Sequence, residues 1–346
     1  MKLNYLLIFI PIALLLDWFQ ANPVLIFAAA TLATIPLAGI MAQATESLAA
    51  YLGPSVGGLL NASLGNAPEI IIGLLALQKG LPDVVKASFT GSILGNLVLG
   101  LGLSMIVGGL KHGFQKFDKL QAGMSASLLF LAAVGLIMPA MAEHVTPRHN
   151  VEISLGTSVA LFVVYALSIV FTLTSGRAAP GAEPHQDAEE PPAWSRNKSL
   201  GILIVVTIGL AIVSEVLTGA IEPASAKLGF TPVFAGVIVL ALAGNTAQLF
   251  NAVRFAAQDK MDLALSITVG ASTQVALFVA PLLVFFGRFL GPGMDLVFTP
   301  FEVVSIVLAV SVASRLTGDG ECHWMEGTLL VGVYLIFGVV FYALPK

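Results

Sequence analysis

Gly65-Asn66-Ala67-Pro68-Glu69 lies inside an apolar run from Val56 to Leu77, and its reading decides what the rest of the chain must be. The run is long enough to cross a bilayer, so Glu69 falls near the middle of a span. A carboxylate there costs about 2.5–3.5 kcal/mol on insertion scales, and a residue that expensive marks function. Pro68 removes one helical backbone donor and Gly65 loosens the same turn. A carboxylate, an amide side chain and a freed backbone carbonyl are thereby set at one depth, all of them oxygen donors suited to a hard cation. A second version of the stretch, Gly244-Asn245-Thr246-Ala247-Gln248, stands in the other half of the chain.

Composition agrees with a membrane setting. The 346 residues are 57% hydrophobic and 10% charged, with a mean hydropathy of +0.93. That profile is of an all-α polytopic membrane protein and excludes a soluble multidomain enzyme. The net charge of −4 is spread through loops and points to no nucleic-acid partner. Cys322 is the only cysteine, which excludes an internal disulfide and a cysteine-built metal site, and no cofactor motif is present.

Apolar windows fall at 3–20, 23–50, 55–78, 83–110, 119–142, 151–174, 199–221, 229–257, 261–287, 297–316 and 326–344, which predicts about 11 transmembrane helices. Several exceed the ~20 residues a bilayer needs, so tilt or helix breaks are expected. The first window has the length of a signal peptide but runs into Asp17-Trp18 and a further apolar segment, so it reads as a retained span. The one long polar stretch, 176–198, carries Glu183, Asp187, Glu189 and Glu190 among prolines and reads as a solvated tether. Ten Lys and Arg against six place the N-terminus and this tether in the cytoplasm. The resulting organisation is a peripheral helix (1–21), a first five-helix unit (22–175), the acidic linker (176–198) and a second five-helix unit (199–346).

An offset of 179 residues brings Gly65-Asn66 onto Gly244-Asn245, Glu69 onto Gln248, Asp83 onto Asp262 and Gly91 onto Gly270 without a gap. Ala44-Thr45-Glu46-Ser47-Leu48 resembles Val213-Ser214-Glu215-Val216-Leu217 upstream. Five helices is an odd number, so the two units sit in the membrane with opposite orientation. Inverted repeats with broken helices meeting at the midplane are the architecture of alternating-access transporters.

The candidate cation and proton residues follow from this frame. Glu69 leads, with Asn66, Asn245 and Gln248 at the motif positions and Glu69, Asn245 and Gln248 as metal ligands. Ser92 and Asn96 after Gly91, and Ser272 and Gln274 after Gly270, add hydroxyls and amides that carry no charge to desolvate; Ser92 and Ser272 serve equally well as helix-packing contacts, whereas for Asn96 and Gln274 ligation or pore lining is favoured. Glu46 and Glu215, towards span ends, are candidates for a vestibule or proton relay, against a reading as snorkelling carboxylates. Gly53-Pro54-Ser55-Val56-Gly57 spells a nucleophile elbow, but no strand pattern precedes it. The histidines at 112, 144, 149, 185 and 323 show no metal-ligand spacing.

These stretches together resemble the calcium/proton exchanger family of the cation/calcium exchanger superfamily. The resemblance runs over nearly the whole chain, through Gly57-Gly58-Leu59-Leu60-Asn61-Ala62, Gly91-Ser92-Ile93-Leu94-Gly95-Asn96, Lys260-Met261-Asp262-Leu263-Ala264-Leu265, Gly270-Ala271-Ser272-Thr273-Gln274, Phe278-Val279-Ala280-Pro281 and Trp324-Met325-Glu326-Gly327. It implies a peripheral helix plus two inverted five-helix repeats, and Ca2+ transport driven by H+ moving the other way. It also implies that the glutamates of the two core motifs bind the ion and trade it for protons. Glu69 matches the first. Gln248 stands where the family's second motif ends in glutamate, and it cannot ionise. Pro68 is also unusual at its position.

Glu69 then neutralises only one of two charges, which weakens divalent binding. Three readings stay open: Glu46 or Glu215 supplies a second proton, the stoichiometry or ion differs, or the chain is exchange-deficient. A sodium/calcium-type exchanger is disfavoured because an aspartate-containing second motif is missing. A passive channel or sensor is disfavoured because it needs no internal inverted symmetry. The expected partners are the lipid bilayer, Ca2+ and H+, with a homo-oligomer left open. The short termini suit a prokaryotic inner membrane.

Overall fold

Prolines set where several helices begin. Pro23, Pro82, Pro232 and Pro300 all occupy first-turn positions, where a missing N–H removes no helical bond. The computed structural model describes residues 2–143, 145–175, 192–290 and 293–344. Its helices in the first half are α1 (Phe9–Trp18), α2 (Pro23–Leu64), α3 (Ala67–Gln78), α4 (Pro82–Leu94), α5 (Leu101–His112), α6 (Lys119–Glu143) and α7 (Asn150–Ser175). The second half contains α8 (Arg196–Leu228), α9 (Pro232–Phe234), α10 (Ala241–Ala256), α11 (Met261–Gln274), α12 (Ala280–Leu290), α13 (Pro300–Leu316) and α14 (Trp324–Ala343). Three π-helical segments, Gly95–Gly100, Ala235–Leu240 and Val275–Val279, join α4 to α5, α9 to α10 and α11 to α12 without a break in the chain's path. The expected linker falls mostly outside the described residues.

Among the described residues eight helical runs are long and apolar enough to cross a membrane. Windows 3–20, 55–78 and 297–316 come out as shorter helices. The first ends at Trp18, the second is interrupted at Gly65-Asn66, and the third starts only at Pro300 behind a capping box made by Thr299 and Glu302. Windows 23–50 and 55–78 share one helical run, α2, up to Leu64. That run is not straight. A methyl built on Gly57 would collide with the Ala49 carbonyl oxygen, although eight residues of straight helix span about 12 Å. The chain therefore turns back on itself between Ala49 and Gly57. The Gly53–Gly57 pattern lies in this helical turn, not at a strand-to-helix elbow.

The distribution of polarity is that of a protein whose solvent is lipid. Large apolar side chains face outward, among them Val134, Leu167, Val205, Ile208, Leu335 and Val339, while amides, hydroxyls and two carboxylates are interior. One apolar cluster gathers α4, α5 and α11–α14; the other joins α1 and α2 to α8. Small residues let backbones touch. Gly102 and Gly327 bring α5 and α14 together, each too close to the other's carbonyl for a side chain.

At one end of the molecule a two-residue ladder pairs Gln115-Lys116 (β1) antiparallel with Glu321-Cys322 (β2). Burial pushes the Cys322 thiol up to about 12, with Glu326 and Asp319 adding to the shift. A thiol held neutral and 1% exposed is a poor nucleophile. Maleimide is expected to leave the folded protein unlabelled under conditions that label the denatured chain fully. Rapid native-state labelling, read by intact mass, would contradict this placement.

Candidate cation site

The helix break falls where the sequence puts it, but Asn66, not Gly65, makes it. Gly65 keeps ordinary helical angles (φ −59°, ψ −31°), and what its lack of a side chain permits is the close approach of the Asn61 carbonyl. Asn66 leaves the helical region (φ −101°, ψ 16°), and α3 restarts at Ala67 with Pro68 in its first turn. Pro68 has no N–H to donate to the Leu64 carbonyl. The side chain of Asn66 does not cap α3; its Nδ2 donates to Gln274 Oε1 at the end of α11. The second motif behaves differently. Gly244 and Asn245 lie within the unbroken α10, because Ala247 stands where Pro68 does and keeps its hydrogen bond. The distortion in that half moves upstream, into the π-helical segment Ala235–Leu240.

All eight residues expected at the site are buried, and the structure joins them in two crossed sets. Asn66 of the first half bonds Gln274 of the second. Asn245 of the second half bonds two residues of the first: its Oδ1 accepts from Asn96 Nδ2 at 2.9 Å, and its Nδ2 donates to Ser92 Oγ at 2.9 Å. Asn245 Nδ2 also donates to the Ala241 carbonyl at 2.8 Å, so both amide hydrogens and one lone pair are engaged. Its place is in the frame, and the oxygens left without partners belong to its neighbours. Ser272 likewise donates to the Thr268 carbonyl at 2.9 Å and reaches the Ile93 carbonyl at 3.4 Å.

Among the described residues Glu69 Oε1, Glu69 Oε2, Gln248 Oε1 and Asn96 Oδ1 are buried acceptors without a hydrogen-bond partner. Glu69 is in the first turn of α3, where the helix dipole favours negative charge. Its carboxylate faces the second motif across the interface: a methyl built on Gly244 would stand 3.3 Å from Oε1. Gln248 is one turn beyond Gly244 on the same face of α10, and helical side chains lean back over the preceding turn. A glycine at 244 is thus what lets the carboxylate of one half reach the α10 face that carries Gln248. A carboxyl and two amide carbonyls left without donors are the kind of oxygen a hard cation takes. The three carboxylate-or-nitrogen ligands of a transition-metal centre are absent among the described residues.

Glu46 and Glu215 are not drawn into this set. Glu46, on α2, is half-buried and lies within charge-interaction range of Arg254, at the end of α10. Glu215 is exposed on α8, with its backbone carbonyl accepting from Lys79 Nζ at 2.7 Å. His112, His149 and His323 sit at element ends, as expected from the sequence; His144 and His185 lie outside the described residues.

Sequence reading missed a second buried polar set, on α4. Lys86 Nζ is 3.1 Å from both Asp83 and Asp295 and donates to the Val297 carbonyl at 2.8 Å. One turn on, Thr90 Oγ1 donates to Glu302 Oε1 at 3.3 Å, while Glu302 Oε2 accepts from Thr299 N at 2.9 Å and Thr299 Oγ1 at 2.8 Å. The signal was present: Thr299-Pro300-Phe301-Glu302 spells a capping box.

The model for the "Sodium/calcium exchanger protein" family matches residues 22–174 and 198–343. A Ca(2+)/H(+) antiporter of Aphanothece halophytica is 41% identical over 98% of this chain and 96% of its own length. The Ca(2+)/H(+) antiporter ChaA of Bacillus subtilis is 38% identical over 95% of this chain and 94% of its own. The solved structure of native YfkE superposes with a TM-score of 0.87 at 34% identity, covering 99% of this chain and 100% of that one. The chain is an integral membrane protein of the sodium/calcium exchanger family, in its calcium/proton exchanger branch.

Proposed function

We propose that the chain exchanges Ca2+ for H+ by alternating access, and that Glu69 is the group that holds either the ion or the proton. One observation carries this reading. A buried carboxylate with no donor on either oxygen does not stay ionised alone, so a proton or a cation accompanies it. Gln248 Oε1 and Asn96 Oδ1 are the neutral ligands. Asn66, Asn245, Ser92, Ser272 and Gln274 hold the frame across the two halves. The names of the relatives, Ca(2+)/H(+) antiporters, fit that chemistry.

In this reading the molecule is a peripheral helix (1–21) and two inverted five-helix repeats, 22–175 and 199–346, for about 11 membrane helices joined by a cytoplasmic linker (176–198). Two features support it. A π-helical segment follows α4 and another follows α11, close to the sequence offset of 179, and each motif asparagine bonds the opposite half at the end of α4 or α11. The excess of Lys and Arg in one set of loops supports an N-terminus in the cytoplasm, and the membrane in this reading is a prokaryotic inner membrane.

Purified protein in liposomes with an acidic interior is expected to accumulate Ca2+, and nigericin is expected to abolish the accumulation. Uptake that ignores the proton gradient would overturn antiport in favour of a passive pathway.

A further inference from the structure

A groove on the outer surface has no part in the cation site. It runs between the 3-10 turn before α1 (Lys2–Ile8), α2 and the start of α8, and it encloses about 400 Å3, within the range of ligand pockets. Its floor is apolar, made by Ile40 of α2 and by Ile202 and Val205 of α8. Gly201 keeps it open, because a methyl built there would meet nothing within 4 Å. Leu200, Ile204 and Val205 are 49%, 54% and 69% exposed, so this face of α8 is turned toward hydrocarbon.

The polar groups gather at one end. Tyr51 Oη donates to the Trp194 carbonyl at 3.3 Å, and Leu37 lies against Gly209, so α2 and α8 run antiparallel. Gln43 is therefore nearer than Ile40 to the start of α8. Trp194 lines that end, and the ammonium of the exposed Lys198 stands 5.5 Å from the centre of its ring. Lys198 precedes Gly201, Ile202 and Val205 by three, four and seven residues, so one face of α8 carries the ammonium at its head and the apolar floor below it. From Lys198 to Val205 the helix rises about 10 Å, roughly two-thirds of the ~15 Å of one hydrocarbon leaflet. Lys198 has no ion pair among the described residues, and Glu46, the one acid on α2, interacts with Arg254.

We propose that this groove holds an anionic phospholipid. Its acyl chain lies along Gly201, Ile202, Val205 and Ile40, and its phosphate sits beside Lys198. Asn4, Gln43 and Trp194 each bring an N–H donor to the headgroup end. An apolar length headed by tryptophan and lysine matches the layering of a membrane interface, and basic pockets between membrane helices take anionic headgroups. The stretch 176–191 just upstream is acidic and proline-rich and has no apolar run to lay on the floor. The lipid touches the turn before α1, α2 and α8 at once, so it ties the peripheral helix to the two long helices behind it.

The experiment is native mass spectrometry of the full chain in detergent with equal amounts of phosphatidylglycerol and phosphatidylcholine, beside the melting temperature in each lipid. One retained lipid per chain is expected, with about a fivefold preference for phosphatidylglycerol, the worth of one basic residue near an anionic headgroup. Phosphatidylglycerol is also expected to raise the melting temperature, as a ligand of the folded state does. Lys198→Gln is expected to keep the lipid and lose the preference. Gly201→Leu fills open space and removes a poor helix former, so it is expected to lose the lipid and the lipid-dependent shift while keeping the native melting temperature in detergent alone.

Equal retention of the two lipids by the native chain, or an unchanged preference in Lys198→Gln, would overturn the proposal. So would native-level retention by Gly201→Leu, which would put the lipid elsewhere on the surface. If inorganic phosphate alone reproduced the shift, the ligand would be an anion and not a lipid. If Gly201→Leu kept the lipid but lost an oligomer on size exclusion, the groove would belong to a second copy of the chain. Should Gly201→Leu fail to fold, Lys198→Gln, at an exposed position, decides the matter alone. None of these readouts involves ion movement, so their failure leaves the antiport reading untouched.

Discussion

Glu69→Gln is expected to lower Ca2+ uptake at subsaturating Ca2+ by about a thousandfold while leaving the protein folded. The magnitude follows from the charge removed. At an effective dielectric of about 20, one unit charge about 4 Å from another is worth about 4 kcal/mol, which is about three factors of ten. Glutamine preserves the volume and the carbonyl oxygen, and no hydrogen bond to the carboxylate is lost, because neither oxygen has a partner. Stability is therefore expected to hold or rise, since a buried ionisable group is replaced by a neutral one. The measurement is the initial rate of 45Ca uptake beside the melting temperature in detergent. A variant within tenfold of the native rate would remove Glu69 from the site. A variant that fails to fold would mean that its carboxylate has structural partners.

Gly91→Val is expected to have an effect of the other kind, on assembly. A Cβ at position 91 would overlap the Val237 backbone carbonyl and stand 2.6 Å from the Ala241 side chain. A backbone atom cannot swing aside as a side chain can, so α4 and the second-half segment Ala235–Leu240 must separate. The next residue, Ser92, is bonded to Asn245 across the same interface, and that bond is lost as well. Overpacking of this sort costs about 3 kcal/mol or more when backbone must move. The expected result is a clear fall in melting temperature and a loss of monodisperse protein on size exclusion, with Gly91→Ala intermediate. A native melting temperature in Gly91→Val would show that the two helices have room between them.

Much of this was legible in the chain, for reasons that can be named. The cost of a carboxylate in an apolar run makes Glu69 conspicuous, and proline chemistry places a break beside it. Both are local facts, and the structure has them in place. The pairing of Asn66 with Gln274 and of Asn245 with Asn96 was not legible, because the partners are 208 and 149 residues apart and amide side chains are equally at home in helix packing. The second motif was expected to repeat the first. It does so in residue types, but without a proline α10 stays intact. The turn between Ala49 and Gly57 also defeats a window reading, because a sharp reversal built from helical residues gives no polar gap. Glu302 carries a local signal of its own, the capping box it makes with Thr299.

The contact between Ser272 and the Ile93 carbonyl joins residues separated by 179 positions, which is the offset between the two halves. Under the two-repeat arrangement proposed above these are equivalent positions, and equivalent positions touch only where a two-fold axis passes between them. An axis lying in the plane of the membrane has no preferred face, so perfectly matched halves would open to either solution with equal ease. Any resting bias of this exchanger then originates where the halves differ. The site holds two such differences side by side: a proline-broken helix against a continuous one, and an ionisable carboxyl against an amide. If Glu69 carries the proton, as proposed above, that proton is also a weight on one side of an otherwise balanced pivot, and its replacement by Ca2+ is expected to change which face the molecule shows.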